Sequence, residues 1–178
     1  MGSYLKDSFA FYSAYHRNSI NQLIHIITIP FIVLTILVWL SYATIYKFHF
    51  DETLLSDIFS INVGLIVVVV YLVFYIILDI VAGVLYIPFI LIIYLLANVI
   101  RFTVPYAWLV AIIVHIVAWI FQFAGHGIWE KRKPALLDSL LQAFLMAPFF
   151  IFLEVLFKLG FKKEFKEEIS ELERNFLP

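Results

Sequence analysis

The sequence contains no cysteine in 178 residues. Without thiols the chain cannot form disulfides, iron–sulfur clusters or zinc–thiolate sites. Charge is also scarce, because only 14% of the residues are Asp, Glu, Lys or Arg, and the formal net charge is −1. This balance gives no reason to expect a nucleic-acid partner.

Several well-known catalytic motifs are missing as well. There is no HExxH, no nucleotide-binding loop, no glycine-rich dinucleotide fingerprint and no Gly-x-Ser-x-Gly elbow. The five histidines are too few for the multi-histidine boxes of membrane desaturases. Residues 1–22 are too polar for a cleavable signal peptide, so none is expected.

The abundant component is apolar. Hydrophobic residues make up 64% of the chain, aromatic residues make up 19%, and the mean hydropathy is +1.01. A soluble domain of this length could not bury so much apolar surface, which predicts an integral membrane protein. Four runs are each long enough to cross about 30 Å of hydrocarbon at about 1.5 Å per residue. They are residues 23–46, 61–78, 84–100 and 106–124.

The predicted fold is therefore all-α, with about four transmembrane helices arranged as two antiparallel hairpins. We expect one membrane-embedded domain over residues 1–178, which begins with an interfacial segment at 1–22. The four spans occupy residues 23–124, a site loop and a fifth helix occupy 125–160, and a charged amphipathic tail occupies 161–178.

The fifth apolar run, residues 136–157, contains polar residues and either spans the membrane or dips in and returns. If only four runs cross, most of the lysines and arginines lie on the side of residue 1, which is the bias expected for cytosolic loops. We therefore predict a re-entrant or interfacial fifth helix and cytosolic termini. A plain five-span protein is the alternative.

Four crossings would bring distant polar residues to the same membrane surface. His16, His25 and His126 are the candidate metal ligands there. Imidazoles without thiolates suit iron, zinc or manganese, and three ligands with open positions suit a catalytic metal. Residues that could add a carboxylate ligand or support the histidines are Asn21, Asp79, Gln122, Glu130 and Asp138.

Spacing constrains how these residues meet. On an unbroken helix His16 and His25 would lie roughly 13 Å apart along the axis and could not share an ion. Asn18 and Ser19 are good helix N-caps, so we predict a break that folds His16 back toward His25. Asn21 precedes His25 by four residues and could orient its ring. On a continuous helix His126 would share one face with Gln122 and Glu130.

Structural roles compete with these assignments. His25 could bind a backbone carbonyl, and His126 could cap a helix end. His49 lies in a polar loop and is expected to be solvated, whereas His115 lies within a span and is expected to pack. The basic residues Lys131, Arg132 and Lys133 either anchor the topology or attract a carboxylate head group or an anionic lipid.

Two stretches carry a resemblance to a known family. They are residues 15–25 (YHRNSINQLIH) and residues 121–157, which include GHG at 125–127 and PALLD at 134–138. Together with Leu78-Asp79 followed by Gly83, they resemble the endoplasmic-reticulum membrane family of 2-hydroxy fatty acid dioxygenases, which metabolise phytosphingosine to odd-numbered fatty acids. The likeness covers nearly the whole chain, although the middle spans match only in hydrophobicity.

This resemblance implies an Fe(II)-dependent oxidoreductase that uses O2 to shorten a 2-hydroxy long-chain fatty acid by one carbon. It also implies the endoplasmic-reticulum membrane as the location, and His16, His25 and His126 as the catalytic metal ligands. Two other functions remain open. One is a lipid-binding or scaffold protein without enzymatic activity, and the other is a zinc-dependent lipid hydrolase with Glu130 or Asp138 as its base.

Overall fold

The computed structural model describes residues 3–131 and 142–174. Within them the chain is helical apart from short turns and one two-stranded ribbon. The α-helices are α1 (Ser3–Ala14), α2 (Ser19–Ser41), α3 (Thr53–Ile58), α4 (Val63–Leu78), α5 (Ile80–Thr103), α6 (Ala107–Ala124), α7 (Ala147–Lys158) and α8 (Lys163–Glu173). Two π-helical segments, Gly125–Glu130 and Gln142–Met146, follow α6 and precede α7.

Three of the described helical segments are long and apolar enough to cross a membrane. They are Ser19–Ser41, Ile80–Thr103 and Ala107–Glu130, whereas the apolar helix Val63–Leu78 has 16 residues and is shorter than the others. The predominantly helical fold is confirmed, with three apolar helices of membrane-spanning length among the described residues. The count of four spans, the side of each terminus and the path of the fifth run stay predictions.

The chain divides into two compact units. The first comprises residues 1–29 and 120–178, and the second comprises residues 30–119. One domain is expected from the sequence, and the division into two compact units does not test that expectation.

In the first unit, aromatic side chains hold α1 against α7. The Phe9 ring lies 5.0 Å from Phe150 and 5.4 Å from Phe157, measured between centroids. Phe157 in turn lies 6.0 Å from Phe165 of α8. The predicted amphipathic tail is thus a helix whose apolar residues Phe165 and Ile169 are buried, because a charged helix of this kind is stable only when its apolar face is covered.

In the second unit, α4 and α5 form a close antiparallel hairpin. Asp79 is the single residue between them, and its Oδ1 accepts a hydrogen bond from the Ala82 N–H at 2.9 Å, which caps α5. A Cβ at Gly83 would lie 2.7 Å from the backbone of Ile76. Glycine is therefore required there, because the two backbones approach too closely for any side chain.

The polar loop after α2 has more structure than the sequence predicted. Strand β1 (Thr44–Tyr46) pairs antiparallel with β2 (Ile61–Asn62). The Asn62 amide donates to Asn98 Oδ1 at 2.9 Å, and the Asn98 amide donates to the Ile58 carbonyl at 2.8 Å. The buried Asn98 amide of α5 thus bonds to both Asn62 and Ile58, and the Asn62 pairing across 36 residues is one that local sequence patterns do not reveal.

Candidate metal centre

His16 and His25 meet because the first two helices are separated by a sharp turn. Helix α1 ends at Ala14, α2 begins at Ser19, and Asn18 Oδ1 accepts the Ile20 N–H at 2.9 Å. The side chain of Asn18 therefore caps α2 as predicted, since it satisfies an N–H that the first helical turn leaves open. The ring centroids of His16 and His25 lie 4.4 Å apart.

The third imidazole comes from the π-helical segment that extends α6. The His126 ring lies 4.8 Å from His16 and 4.9 Å from His25 between centroids. All three histidines are buried, and one potential ligand atom from each lies within 4.8 Å of the others. The structure thus brings together the three histidines chosen from the sequence, at a spacing from which small side-chain rotations reach one ion.

Hydrogen bonds orient two of the three rings. His16 Nδ1 lies 2.9 Å from the Tyr12 carbonyl, and His25 Nδ1 lies 2.9 Å from the Asn21 carbonyl. Because a carbonyl only accepts, each Nδ1 carries the proton and leaves Nε2 with a free lone pair. This arrangement is the one that metal-binding histidines use.

Two buried nitrogen atoms lack a partner. Within the described residues, neither His16 Nε2 nor His126 Nδ1 has a hydrogen-bond partner. Burial, with the nearby His25 and His126, holds the pKa of His16 well below its ordinary value, so its ring is neutral. Unpaired buried nitrogens cost stability unless something binds them, and neutral imidazoles are good ligands for transition metals. The group therefore fits a bound metal ion.

Asn21 supports the histidine cluster through both its backbone carbonyl and its side chain. Its backbone carbonyl accepts from His25, and its fully buried side chain donates to Glu130 Oε2 at 3.0 Å. A Cβ at Gly125 would lie 2.5 Å from Asn21 Oδ1, so only glycine allows this approach. Gly127 faces open space and has no such requirement.

Glu130 has a different task from the one that helical spacing suggested. Its two carboxylate oxygens accept the backbone N–H groups of Arg17 and Asn18, each at 3.0 Å. A carboxylate at this place stabilises the start of α2. The expected shared face of Gln122, His126 and Glu130 assumes a continuous α-helix, whereas His126 and Glu130 lie in a π-helical segment, which has a different register.

The remaining candidates are placed as follows. Gln122 is buried and donates to Thr28 Oγ1 at 3.1 Å. Asp79 belongs to the second unit, where it caps α5. Lys131 is exposed and ends the π-helical segment in a left-handed conformation, with its N–H donating to the His126 carbonyl. Arg132, Lys133 and Asp138 lie outside the described residues, so their assignments stay predictions.

His115 and His49 have the roles expected of them. His115 Nε2 accepts from Trp119 Nε1 at 3.0 Å, which leaves Nδ1 to donate to Thr35 Oγ1 at 2.8 Å. Both ring nitrogens are therefore satisfied within the second unit. His49 lies in the exposed part of the loop after β1.

Sequence reasoning gave no role to two residues beside the histidines. The Tyr12 ring stacks on His16 at 4.0 Å between centroids, and Glu154 of α7 is only 8% exposed. Burial raises the pKa of Glu154 to about 7, with Lys158 and Lys166 opposing the rise. The sequence signal that could have identified Glu154 is a carboxyl group inside an apolar run, since such groups are rarely placed there without a function.

The fold and the site together define an apolar helical protein that buries three converging imidazoles, a group that could hold a metal ion. Comparisons with known proteins define it further. Residues 3–159 match the family model described as 2-hydroxy-palmitic acid dioxygenase Mpo1-like. The chain is also 35% identical over 166 residues to the 2-hydroxy-palmitic acid dioxygenase MPO1 of Saccharomyces cerevisiae, covering 93% of this chain and 87% of the yeast protein.

The chain belongs to the Mpo1-like family. The predicted family and the predicted enzyme class, a dioxygenase, are both confirmed by this membership. No solved structure is significantly similar to the chain.

Proposed function

We propose that the protein is an Fe(II)-dependent dioxygenase that shortens 2-hydroxy long-chain fatty acids by one carbon. The observation that carries the proposal is the cluster of His16, His25 and His126, whose buried nitrogens are pre-oriented and partly unpaired. Family membership supplies the substrate class, because the yeast relative is named for 2-hydroxy-palmitic acid.

The proposed reaction balances without any further reductant. A 2-hydroxy acid and one O2 give the acid that is one carbon shorter, carbon dioxide and water, so the substrate supplies all the electrons. Bound iron would supply Lewis acidity, a template for the substrate and activation of O2. This agrees with the absence of any nucleotide or dinucleotide motif in the sequence.

The residues of the chain would prepare this site. His16, His25 and His126 would hold the ion, and no carboxylate of the described residues joins their group. Three protein ligands leave positions for the hydroxyl and carboxylate of the substrate. The carbonyls of Tyr12 and Asn21 keep two of the rings in the liganding tautomer. Glu130 and Asn21 fix the turn that brings His16 to His25.

We place this activity in the endoplasmic-reticulum membrane, with both termini in the cytosol. The support is the distribution of basic residues, because Lys6, Arg17 and the segment 131–133 all fall on one side of a four-span chain. Tags inserted before Tyr4 and after Glu130 are expected to report the same compartment. Opposite compartments would contradict the arrangement.

The deciding experiment uses the full-length protein purified in detergent. Loaded with Fe(II), it is expected to consume O2 and release CO2 in equal amounts with 2-hydroxypalmitate and to form the C15 acid. His126→Ala is expected to bind no iron and to be inactive, while His49→Ala serves as the matched control and stays active. Lipid hydrolysis with zinc and no O2 uptake would indicate a hydrolase instead. If the protein shows neither activity, the result indicates a binding or scaffold protein.

A hydrolase with Glu130 as its base is disfavoured by the structure. Both carboxylate oxygens of Glu130 already accept N–H groups from the start of α2. A base needs a free oxygen within reach of the proton that it removes.

A further inference from the structure

A cavity of about 250 Å³ opens beside His16 in the first unit. Its walls come from α1, the turn before α2, α7 and α8. The polar and charged residues that carry the argument are His16, Arg17, Glu154, Lys158, Lys166 and Glu173.

The charges around this cavity do not cancel. Arg17 pairs with Glu173 at 3.3 Å. Lys158 and Lys166 make no ion pair with any residue in the described part of the chain, and both act electrostatically on the buried Glu154. The cavity wall carries three cationic side chains, Arg17, Lys158 and Lys166, against the two carboxyl groups of Glu154 and Glu173. The cavity is therefore cationic and suits an anionic group.

Two buried polar atoms at this cluster also await a partner. Glu154 Oε2 and the Tyr12 hydroxyl are buried and have no hydrogen-bond partner among residues 3–131 and 142–174. Glu154 lines the cavity itself, and the Tyr12 ring stacks on His16, which also lines it. An unsatisfied buried group costs roughly 1–3 kcal/mol, and a polar ligand in the cavity would relieve that cost for Glu154.

The size of the cavity limits the ligand groups that fit inside it. Pockets that enclose a whole drug-sized ligand measure about 300–1,000 Å³. At about 250 Å³ this cavity suits the polar end of a lipid, and a long acyl chain must continue outside it.

We propose that this cavity receives the carboxylate head of the 2-hydroxy acid, and that Lys158, Lys166 and Glu154 hold it beside His16. The proposal rests on the function proposed above, which supplies an anionic substrate. The lysines attract the carboxylate, and Glu154 forms a hydrogen bond to the head group. Substrate specificity would then depend on α8, which lies beyond the family match at residues 3–159.

The test compares Lys158→Met and Lys166→Met with Lys163→Met in the full-length, iron-loaded protein. Lys163 is an exposed residue of the same helix as Lys166 and does not line the cavity, so it is the matched control. Each cavity variant is expected to raise KM for 2-hydroxypalmitate about fivefold, the effect of removing one solvent-accessible charge pair. We expect kcat and iron content to change less than twofold. The control is expected to match the parent.

Inhibitors identify the group that the lysines recognise. Palmitate, which keeps the carboxylate, is expected to inhibit the two cavity variants about fivefold more weakly than the parent. Hexadecane-1,2-diol, which has no carboxylate, is expected to inhibit all four proteins equally. Unchanged KM and unchanged palmitate inhibition in both cavity variants would overturn the proposal.

Glu154 provides an independent check. Glu154→Gln keeps a hydrogen-bonding group and is expected to hold KM within about twofold of the parent, whereas Glu154→Leu is expected to raise KM at least fivefold at unchanged iron content. If Glu154→Leu has the KM of the parent, Glu154 does not belong to the binding site.

Direct binding of radiolabelled 2-hydroxypalmitate separates this proposal from the proposed function. If the parent consumes no O2 but binds the acid in a manner that depends on Lys158 and Lys166, the cavity assignment stands and the dioxygenase proposal fails. If the parent is active and replacing either lysine leaves binding of the acid unchanged, the cavity assignment fails and the dioxygenase proposal stands.

Discussion

Gly125 and Gly127 flank the same histidine, yet the structure predicts opposite outcomes when each is replaced by alanine. A Cβ at position 125 would lie 2.5 Å from Asn21 Oδ1, whereas a Cβ at position 127 would meet nothing within 4 Å. Ordinary contacts of this kind are about 3.5 Å, so Asn21 must retreat by about 1 Å in Gly125→Ala. Asn21 is fully buried, and a shift of its side chain disturbs the hydrogen bond that its amide donates to Glu130.

The expected magnitude follows from what Asn21 holds. Overpacking a buried site costs about 1–3 kcal/mol, and a strained hydrogen bond to Glu130 adds about 1 kcal/mol. Because the Asn21 carbonyl also orients His25, Gly125→Ala is expected to weaken metal binding by about 10- to 100-fold. Gly127→Ala is expected to keep the metal affinity of the parent and to gain up to about 1 kcal/mol from the lower entropy of the unfolded chain.

The measurement is a Co(II) titration followed by absorbance, together with thermal unfolding of the purified protein in detergent. The reasoning fails if Gly125→Ala binds Co(II) as tightly as the parent. It also fails if Gly127→Ala is the more damaging of the two substitutions, because the close approach would then lie elsewhere.

Three further predictions concern other parts of the molecule. His126→Ala is expected to lose metal and activity while still accumulating in membranes at the level of His49→Ala; equal loss of protein would point to a structural histidine. Asp79→Ala removes the cap of α5 and is expected to cost about 1 kcal/mol of stability without changing metal content, as thermal unfolding and metal analysis would show. Glu154→Gln is expected to be more stable than the parent by about 3 kcal/mol at pH 8 and equal to it below pH 4.5. Burial raises the folded pKa of Glu154 from 4.5 to about 7, so its contribution to stability is lost as pH rises between these values. Unfolding temperatures that differ equally at both pH values would contradict this assignment.

The helices and the three histidines could be predicted from the sequence because their signals are local or chemical. Apolar runs define membrane helices by length, and Asn18 marks the start of α2 by its capping chemistry. The break between α1 and α2 was needed to bring His16 to His25, and the structure confirms it.

Other features depend on contacts between distant residues. The π-helical turn at Gly125–Glu130 and the capping role of Glu130 could not be read from spacing, because helical periodicity assumes 3.6 residues per turn. The segment that ends in β2 is held by a single distant amide, because Asn98 of α5 bonds to both Asn62 and Ile58. The same holds for Glu154, whose pKa is raised by burial within the packed unit, with Lys158 and Lys166 opposing the rise.

A single surplus residue accounts for much of the architecture around His126. A π turn is what an α-helix becomes when one amino acid is inserted without breaking its ladder of hydrogen bonds. Deleting one residue from the segment would restore the ordinary pitch and rotate Glu130 by about 100° around the axis, away from Arg17 and Asn18. The contact of the Glu130 carboxylate with the start of α2 thus depends on the wider pitch of this one turn.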